Sequence, residues 1–247
     1  MEKSKLIFTY RMTLDTGFAP CVDNGLLTLA CCKGGKEKYP CGLRFFIGRL
    51  WDYFNANPDE RVEIYVSGIF QEKLLYFAKI TDVIEMKEYF SSKEYKRRLD
   101  QIYELDGNEL KHIEGNNTHN DPHFIKCDIN GKYVLISNEF VYLGKNAIEV
   151  NNDILGYYPE NRGQWPKGQH SGSPSDVLTV ENKEKSSELY EKLTSLLKDN
   201  KLLTDNDKLS NKGKIPKPHN PIERGGCGSC GKTSESDNVI CNDCGKE

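Results

Sequence analysis

Apolar residues in this chain come in short dense runs, and the spacing within the runs changes from one segment to the next. KLIFTYRMTL (5–14) predicts a first strand, because Leu6, Ile7, Phe8 and Tyr10 form a compact β-prone cluster. DTGFAPC (15–21) follows as a loop, punctuated by Gly17 and Pro20, neither of which suits a strand interior. GLLTLACC (25–32) reads as a second strand and GGKEKYPCG (34–42) as a polar loop. FFIGRLWDYF (45–54) fits strand or helix by periodicity, and NANPDE ends it.

RVEIYVSGI (61–69) alternates, with Val62, Ile64 and Val66 on one face, and LLYFAKITDVI (74–84) reads as one further strand. MKEYFSSKEYKRRLDQIYEL (86–105) carries Tyr89, Phe90, Tyr95, Leu99 and Ile102 at helical spacing. His119 and His123 are separated by Asn120, Asp121 and Pro122, which predicts a turn rather than a metal-binding helix. Asn130-Gly131 is a two-residue hairpin signal, and KYVLISNEFVYLG (132–144) supplies two short strands.

Strands in runs, with one or two helices between them and no steady βαβ alternation, predict an α+β fold. The expected architecture is a mostly antiparallel sheet or a small β-barrel with flanking helices, plus a small C-terminal zinc ribbon; the order strand, short polar break, LLYFAKITDVI and then KEYF resembles the PUA-like barrels that read modified bases. Residues 1–165 form the predicted α+β domain. Residues 166–223 form a linker, opened by PKGQHSGSPSD and interrupted by an amphipathic helix over 186–203, where Leu189, Leu193, Leu196 and Leu197 share a face. That helix docks on its own body or on a partner.

The last segment, 224–247, ends CGSCGKTSESDNVICNDCGKE. Cys227, Cys230, Cys241 and Cys244 form two CxxC knuckles, each followed by Gly, with ten residues between them. Four thiolates at this spacing match tetrahedral zinc, and a full ligand set makes the zinc structural rather than catalytic. So small a segment buries too little apolar surface to fold without the metal.

Composition narrows the function. The net charge of −3 argues against coating nucleic acid by phosphate neutralisation, while leaving room for a pocket that reads a single nucleotide or base. No run approaches the ~18 apolar residues of a membrane span. Nine cysteines without an export signal point to a reducing, cytoplasmic location.

Two blocks carry candidate chemistry. In DTGFAPCVDNGLLTLACCK, Asp15 and Lys33 sit at the ends of neighbouring strands. Cys31 and Cys32 must point to opposite faces, so at most one reaches a given ligand. The alternative there is a surface ion pair with buried thiols. In the second block Ser137, Asn138 and Glu139 lie beside Phe140 and Tyr142, combining hydrogen-bonding groups with stacking surfaces of the kind that hold a base. The alternative is an edge strand whose aromatics pack on the core.

Three ordered segments, YRMTLDTGFAPCVDNGLLTLACCK, LLYFAKITDVIEMKEYF and KYVLISNEFVYLGKNAIEV, together resemble the nucleotide modification associated domain 2 family over about residues 7 to 165. The matching positions are Asp15, Gly17, Ala19, Pro20, Cys32 and Lys33, then Lys79 and Tyr89, then Ser137, Phe140, Tyr142, Gly144 and Ala147. Where the family continues cysteine-lysine with proline and a nearby arginine, this chain has CCKGGKEKYPCGLR, which includes Arg44. The resemblance implies a link to bacterial and phage systems that make, carry or contend with hypermodified DNA bases, including phage defence.

Three functions follow as expectations. The first is binding of a nucleotide or modified base, possibly within DNA, through Gly17, Pro20, Lys79, Ser137, Asn138, Phe140 and Tyr142. The second is an enzyme acting on a nucleotide or base, with Asp15 and His119 as acid–base groups, Lys33 as clamp or amine nucleophile and Cys32 as thiol nucleophile. The third is an interaction module whose C-terminal helix and zinc ribbon dock on a partner enzyme. The first two require the Asp15 loop and the Phe140 hairpin to line one cavity.

Overall fold

The computed structural model describes residues 3–12, 14–34, 42–60, 62–157, 183–204, 208–212 and 214–221. The four tail cysteines lie outside them. The strands are β1 (Ser4–Met12), β2 (Cys21–Asp23), β3 (Leu26–Leu29), β4 (Val62–Phe70), β5 (Lys73–Lys79), β6 (Asp82–Glu85), β7 (Tyr103–Asp106), β8 (Glu109–His112), β9 (Tyr133–Ser137), β10 (Glu139–Tyr142) and β11 (Ile148–Glu149). The helices are α1 (Leu43–Ala56), α2 (Met86–Ser91), α3 (Pro122–Asn130), α4 (Asn152–Leu155) and α5 (Lys183–Asp199).

One sheet runs β1-β4-β5-β10, with β11 also paired to β5; a second runs β2-β3-β9-β6; β7 and β8 form a separate ribbon. Pairing is antiparallel except for β1 with β4. The fold is thus α+β with mostly antiparallel sheets, and neither large sheet closes into the barrel that was the alternative expectation.

Alternation along the strands explains the layering. Leu6, Phe8 and Tyr10 of β1, with Ile64 and Val66 of β4, face a core shared with Leu43 and Ile47 of α1. Ile7, Tyr65, Ile69 and Phe77 face the other way and meet Leu189, Leu193 and Leu197 of α5. With both faces covered, these strands are apolar almost throughout. A third cluster, around Phe18, Cys31, Tyr89, Tyr103 and Val134, fills the space beneath α2 and the second sheet.

The helix expected at 186–203 is α5, and it packs on β1 of its own chain. Ser186 accepts a hydrogen bond from the Ile7 N–H at 3.2 Å, covering part of the edge strand. Beyond it, residues 208–212 and 214–221 form a strap over the opposite edge. Asn211 bridges the Tyr142 backbone, accepting from its N–H and donating to its carbonyl. The packed body therefore extends well past residue 165. No helix among the described residues is long and apolar enough to cross a membrane.

One open expectation is settled and three change. FFIGRLWDYF, which fitted strand or helix, is helical as part of α1. LLYFAKITDVI is two strands in different sheets, switching at Ile80 and Thr81, whose N–H groups reach Ile64 in the first sheet and Ile136 in the second. The helix expected over 86–105 stops after α2. The buried Arg98 and Asp100 beyond it instead hold β2 and β3: Arg98 donates to the Cys21 and Asp23 carbonyls, and Asp100 accepts from Thr28. These satisfied buried bonds outweigh a weak helical periodicity. Asn130-Gly131 ends α3 rather than turning a hairpin. Asp121 caps that helix by accepting from the His123 N–H at 2.7 Å, and Pro122 occupies its first turn.

Leu193 is fully buried between α5 and the first sheet. Leu193→Ala is expected to cost about 2–5 kcal/mol, read as a lower urea midpoint with an unchanged denaturant slope.

Candidate functional site

β3 continues through the buried Ala30 and Cys31, and the chain then turns sharply. Cys32 and Lys33 both take left-handed backbone angles, with φ of +58° and +52°. Non-glycine residues in that region cost about 1–3 kcal/mol each, so surrounding bonds must hold them. The Cys32 N–H donates to Asp128 Oδ1 at 2.6 Å. The Cys32 carbonyl accepts from Arg44 Nε at 2.6 Å, and the Lys33 carbonyl accepts from the Arg44 backbone N–H. Gly34 lies so close to α3 that a Cβ there would fall 1.9 Å from the Cys127 carbonyl oxygen. The cysteine loop is clamped onto the C-terminal end of α3.

His119 approaches from the segment before α3, again with positive φ, at +53°. Its ring sits between Phe18 and Phe124, at centroid distances of 5.0 and 5.2 Å. Cys32 Sγ lies 3.5 Å from His119 Nε2, and His119 Nδ1 lies 2.9 Å from Asp128 Oδ2. The same carboxylate oxygen accepts from Tyr103 OH at 2.9 Å. An imidazole donating from Nδ1 to a carboxylate turns Nε2 toward the sulfur, where it can hold or return the sulfur's proton. His119 and Asp128 are buried, while Cys32 is half-buried.

Electrostatics reinforce this geometry. Burial pushes the Asp128 carboxyl up, but His119 above all, then Arg44 and the Cys32 N–H, hold it below the ordinary carboxylate value. Burial disfavours a charged His119 ring, yet the Cys32 sulfur and the Asp128 carboxylate raise it well above the ordinary imidazole value. The other thiols of the core contrast with this. Burial drives Cys31 far up, and it pushes Cys21 up to about 12, so both stay protonated and unreactive.

Cys32, His119 and Asp128 also lie close enough together to form a metal-ligand group. However, sulfur and carboxylate flank opposite nitrogens of the ring, so an ion held by Sγ and Nε2 would have Asp128 only as an outer partner. Two inner ligands fall short of a zinc site. The geometry suits a proton relay.

Of the residues singled out in the sequence, Cys32 and His119 come together here. Lys33 Nζ lies 4.8 Å over the Tyr10 ring. Asp15 is buried elsewhere, accepting from Tyr142 OH at 2.7 Å and from the His219 N–H at 2.9 Å, with His219 Nδ1 at 3.0 Å. The Asp15 loop and β10 therefore do meet, and the strap lies against both. Gly17 faces Pro218, and Lys145 N–H donates to the Lys217 carbonyl.

The remaining positions have structural partners. Phe140 is in the core, Ser137 closes its own turn with Glu139, and Asn138 N–H donates to Thr81 Oγ1. Lys79 pairs with Glu63 at 2.9 Å, and Pro20 follows a cis peptide. Arg44 is fully buried, its guanidinium donating to the carbonyls of Cys32, Asp128 and Tyr133. Sequence reading missed Asp128, Tyr103 and His219, for which no local motif exists. The Asp-Pro cap of α3 was the one available clue.

The raised His119 value has a definite sign. Its contribution to stability is fully present below about pH 6.5 and is lost as pH rises through the higher folded value. The stability difference between wild type and His119→Gln, measured by chemical denaturation, is expected to shrink as pH rises through that range. A difference that grows with pH would contradict the assignment.

Comparison with known proteins adds one finding. No curated protein and no solved structure matches the chain. Residues 63–180 match the family model described as nucleotide modification associated domain 2, a stretch that contains His119 and Asp128 but begins after Cys32, and the match ties this part of the chain to a nucleotide-modification context.

Proposed function

We propose that this protein is a thiol enzyme acting on a nucleotide or modified base, with Cys32 as nucleophile, His119 as general base and acid, and Asp128 as the residue that orients the imidazole. The observation that carries this reading is the line from Cys32 Sγ to His119 Nε2 (3.5 Å) and from His119 Nδ1 to Asp128 Oδ2 (2.9 Å). Of the functions expected from the sequence, enzyme and binder, this line favours the enzyme. Phe140 and Tyr142, which suggested base stacking, are engaged within the core.

The chemistry that suits such a line is acyl transfer. Sγ attacks a carbonyl carbon on the substrate with its proton already resting on His119 Nε2, where the neighbouring carboxylate favours the charged ring. The C–N or C–O bond to the leaving group then breaks, and His119 returns the proton to that group. Water, activated by the same imidazole, releases the acyl group from sulfur and restores the thiol. The clamped backbone of Cys32 keeps the sulfur in place throughout.

Cys32 is expected to be alkylated by iodoacetamide in preference to Cys21 and Cys31, and His119→Ala should slow that reaction at pH 7 by about tenfold or more. Peptide mass spectrometry with melting curves for each variant provides the readout. Alkylation of Cys32 at an unchanged rate in a folded His119→Ala variant would sink the relay.

The spacing of Cys227, Cys230, Cys241 and Cys244 further supports one structural zinc in the C-terminal tail. Elemental analysis should find one zinc per chain, lost in Cys227→Ser/Cys230→Ser and retained in Cys32→Ser. Zinc that follows Cys32 instead would relocate the metal to the relay.

A further inference from the structure

The Asp15 loop, the turn region around residues 97–99 and the strap enclose a cleft of about 470 Å³. That volume lies in the range of small-ligand sites, about 300–1,000 Å³, and is too small for a folded partner. Gly17 belongs to its lining, and Phe18, the next residue, packs against His119. The cleft and the thiol relay thus share one loop, while the groups lining the cleft are different from those of the relay.

The lining is mixed in a specific way. Two cationic side chains, Arg97 and Lys217, come from separate segments and both are exposed. Among the described lining residues the one acid is Asp23, and one of its oxygens accepts from Asn24 at 3.1 Å. Leu99, Ile215 and the prolines of the strap provide apolar walls. Tyr142 also belongs to the lining, with its hydroxyl donating to Asp15.

The strap wall is fixed in place. Asp15 accepts two bonds from His219, and its backbone carbonyl accepts from the Asn220 N–H. Gly17, at φ +79°, leaves no room for a Cβ, which would lie 2.6 Å from Pro218 Cγ. A preformed wall lowers the ordering cost of binding.

We propose that this cleft binds a nucleoside monophosphate, with the phosphate held by Arg97 and Lys217 and the flat base against the apolar strap wall. A guanidinium and an ammonium together suit a phosphate monoester, which accepts bidentate and point-charge donors. The phosphate assignment rests on the cleft alone. The choice of a nucleoside as the body also rests on the nucleotide-modification context.

The test is calorimetric titration of the full chain with deoxynucleoside 5′-monophosphates, the matching nucleosides and inorganic phosphate. The monophosphates should bind at least about tenfold more tightly than either of the others. Arg97→Ala/Lys217→Ala should weaken monophosphate binding by a similar factor while leaving the Cys32 alkylation rate unchanged. Gly17→Ala, by displacing Pro218, should also weaken binding. Equal affinity for nucleoside and monophosphate, or full affinity in the double variant, would overturn the site. Phosphate binding as tightly as the nucleotide would overturn the nucleoside assignment. Because alkylation of Cys32 is read separately, failure of the cleft and failure of the thiol relay give different results.

Discussion

The arrangement depends on one buried polar junction, where the Arg44 guanidinium and the Asp128 carboxylate meet three chain segments. Arg44 is fully buried on α1 and hydrogen-bonds carbonyls of the cysteine loop, of α3 and of the first residue of β9. Asp128, on α3, receives the Cys32 N–H, Tyr103 OH and His119 Nδ1. A buried charge without such partners costs several kcal/mol. Each group is tolerated because the other segments supply its partners, and those segments keep their unusual backbone because the charges hold them.

This explains why backbone strain gathers where it does. Cys32, Lys33 and His119 all adopt positive φ within one small region. Their common effect is to bring a sulfur from the end of a strand and a ring from a loop to within 3.5 Å. The cost is offset by a fully bonded carboxylate and by aromatic packing on both sides of the imidazole. A site whose members are locked by their neighbours needs little reorganisation during reaction.

The strap has a comparable role on the other side of the Asp15 loop. It covers the edge of β10 through Asn211, fills the crevice beside Gly17 and Gly144, and fastens to Asp15 through His219. An exposed strand edge invites pairing with other chains, so this cover also protects the first sheet.

The strand runs, the α+β class, the docking face of α5 and the strands on either side of Asn138 were legible in the sequence, because alternation and helical spacing are local properties. Asp15, Cys32 and His119 were also recognisable as chemically suited residues. Their grouping was not: Asp15 turned out to serve the strap through His219, while Cys32 joined His119 through Asp128, a residue no motif marks. The broken helix after Ser91 shows the same limit, since the bonds made by Arg98 and Asp100 reach residues about seventy positions away. Periodicity records which face of an element is buried. Only the packed chain decides which buried charge meets which backbone carbonyl, because those bonds are selected by desolvation in three dimensions and leave no spacing along the sequence.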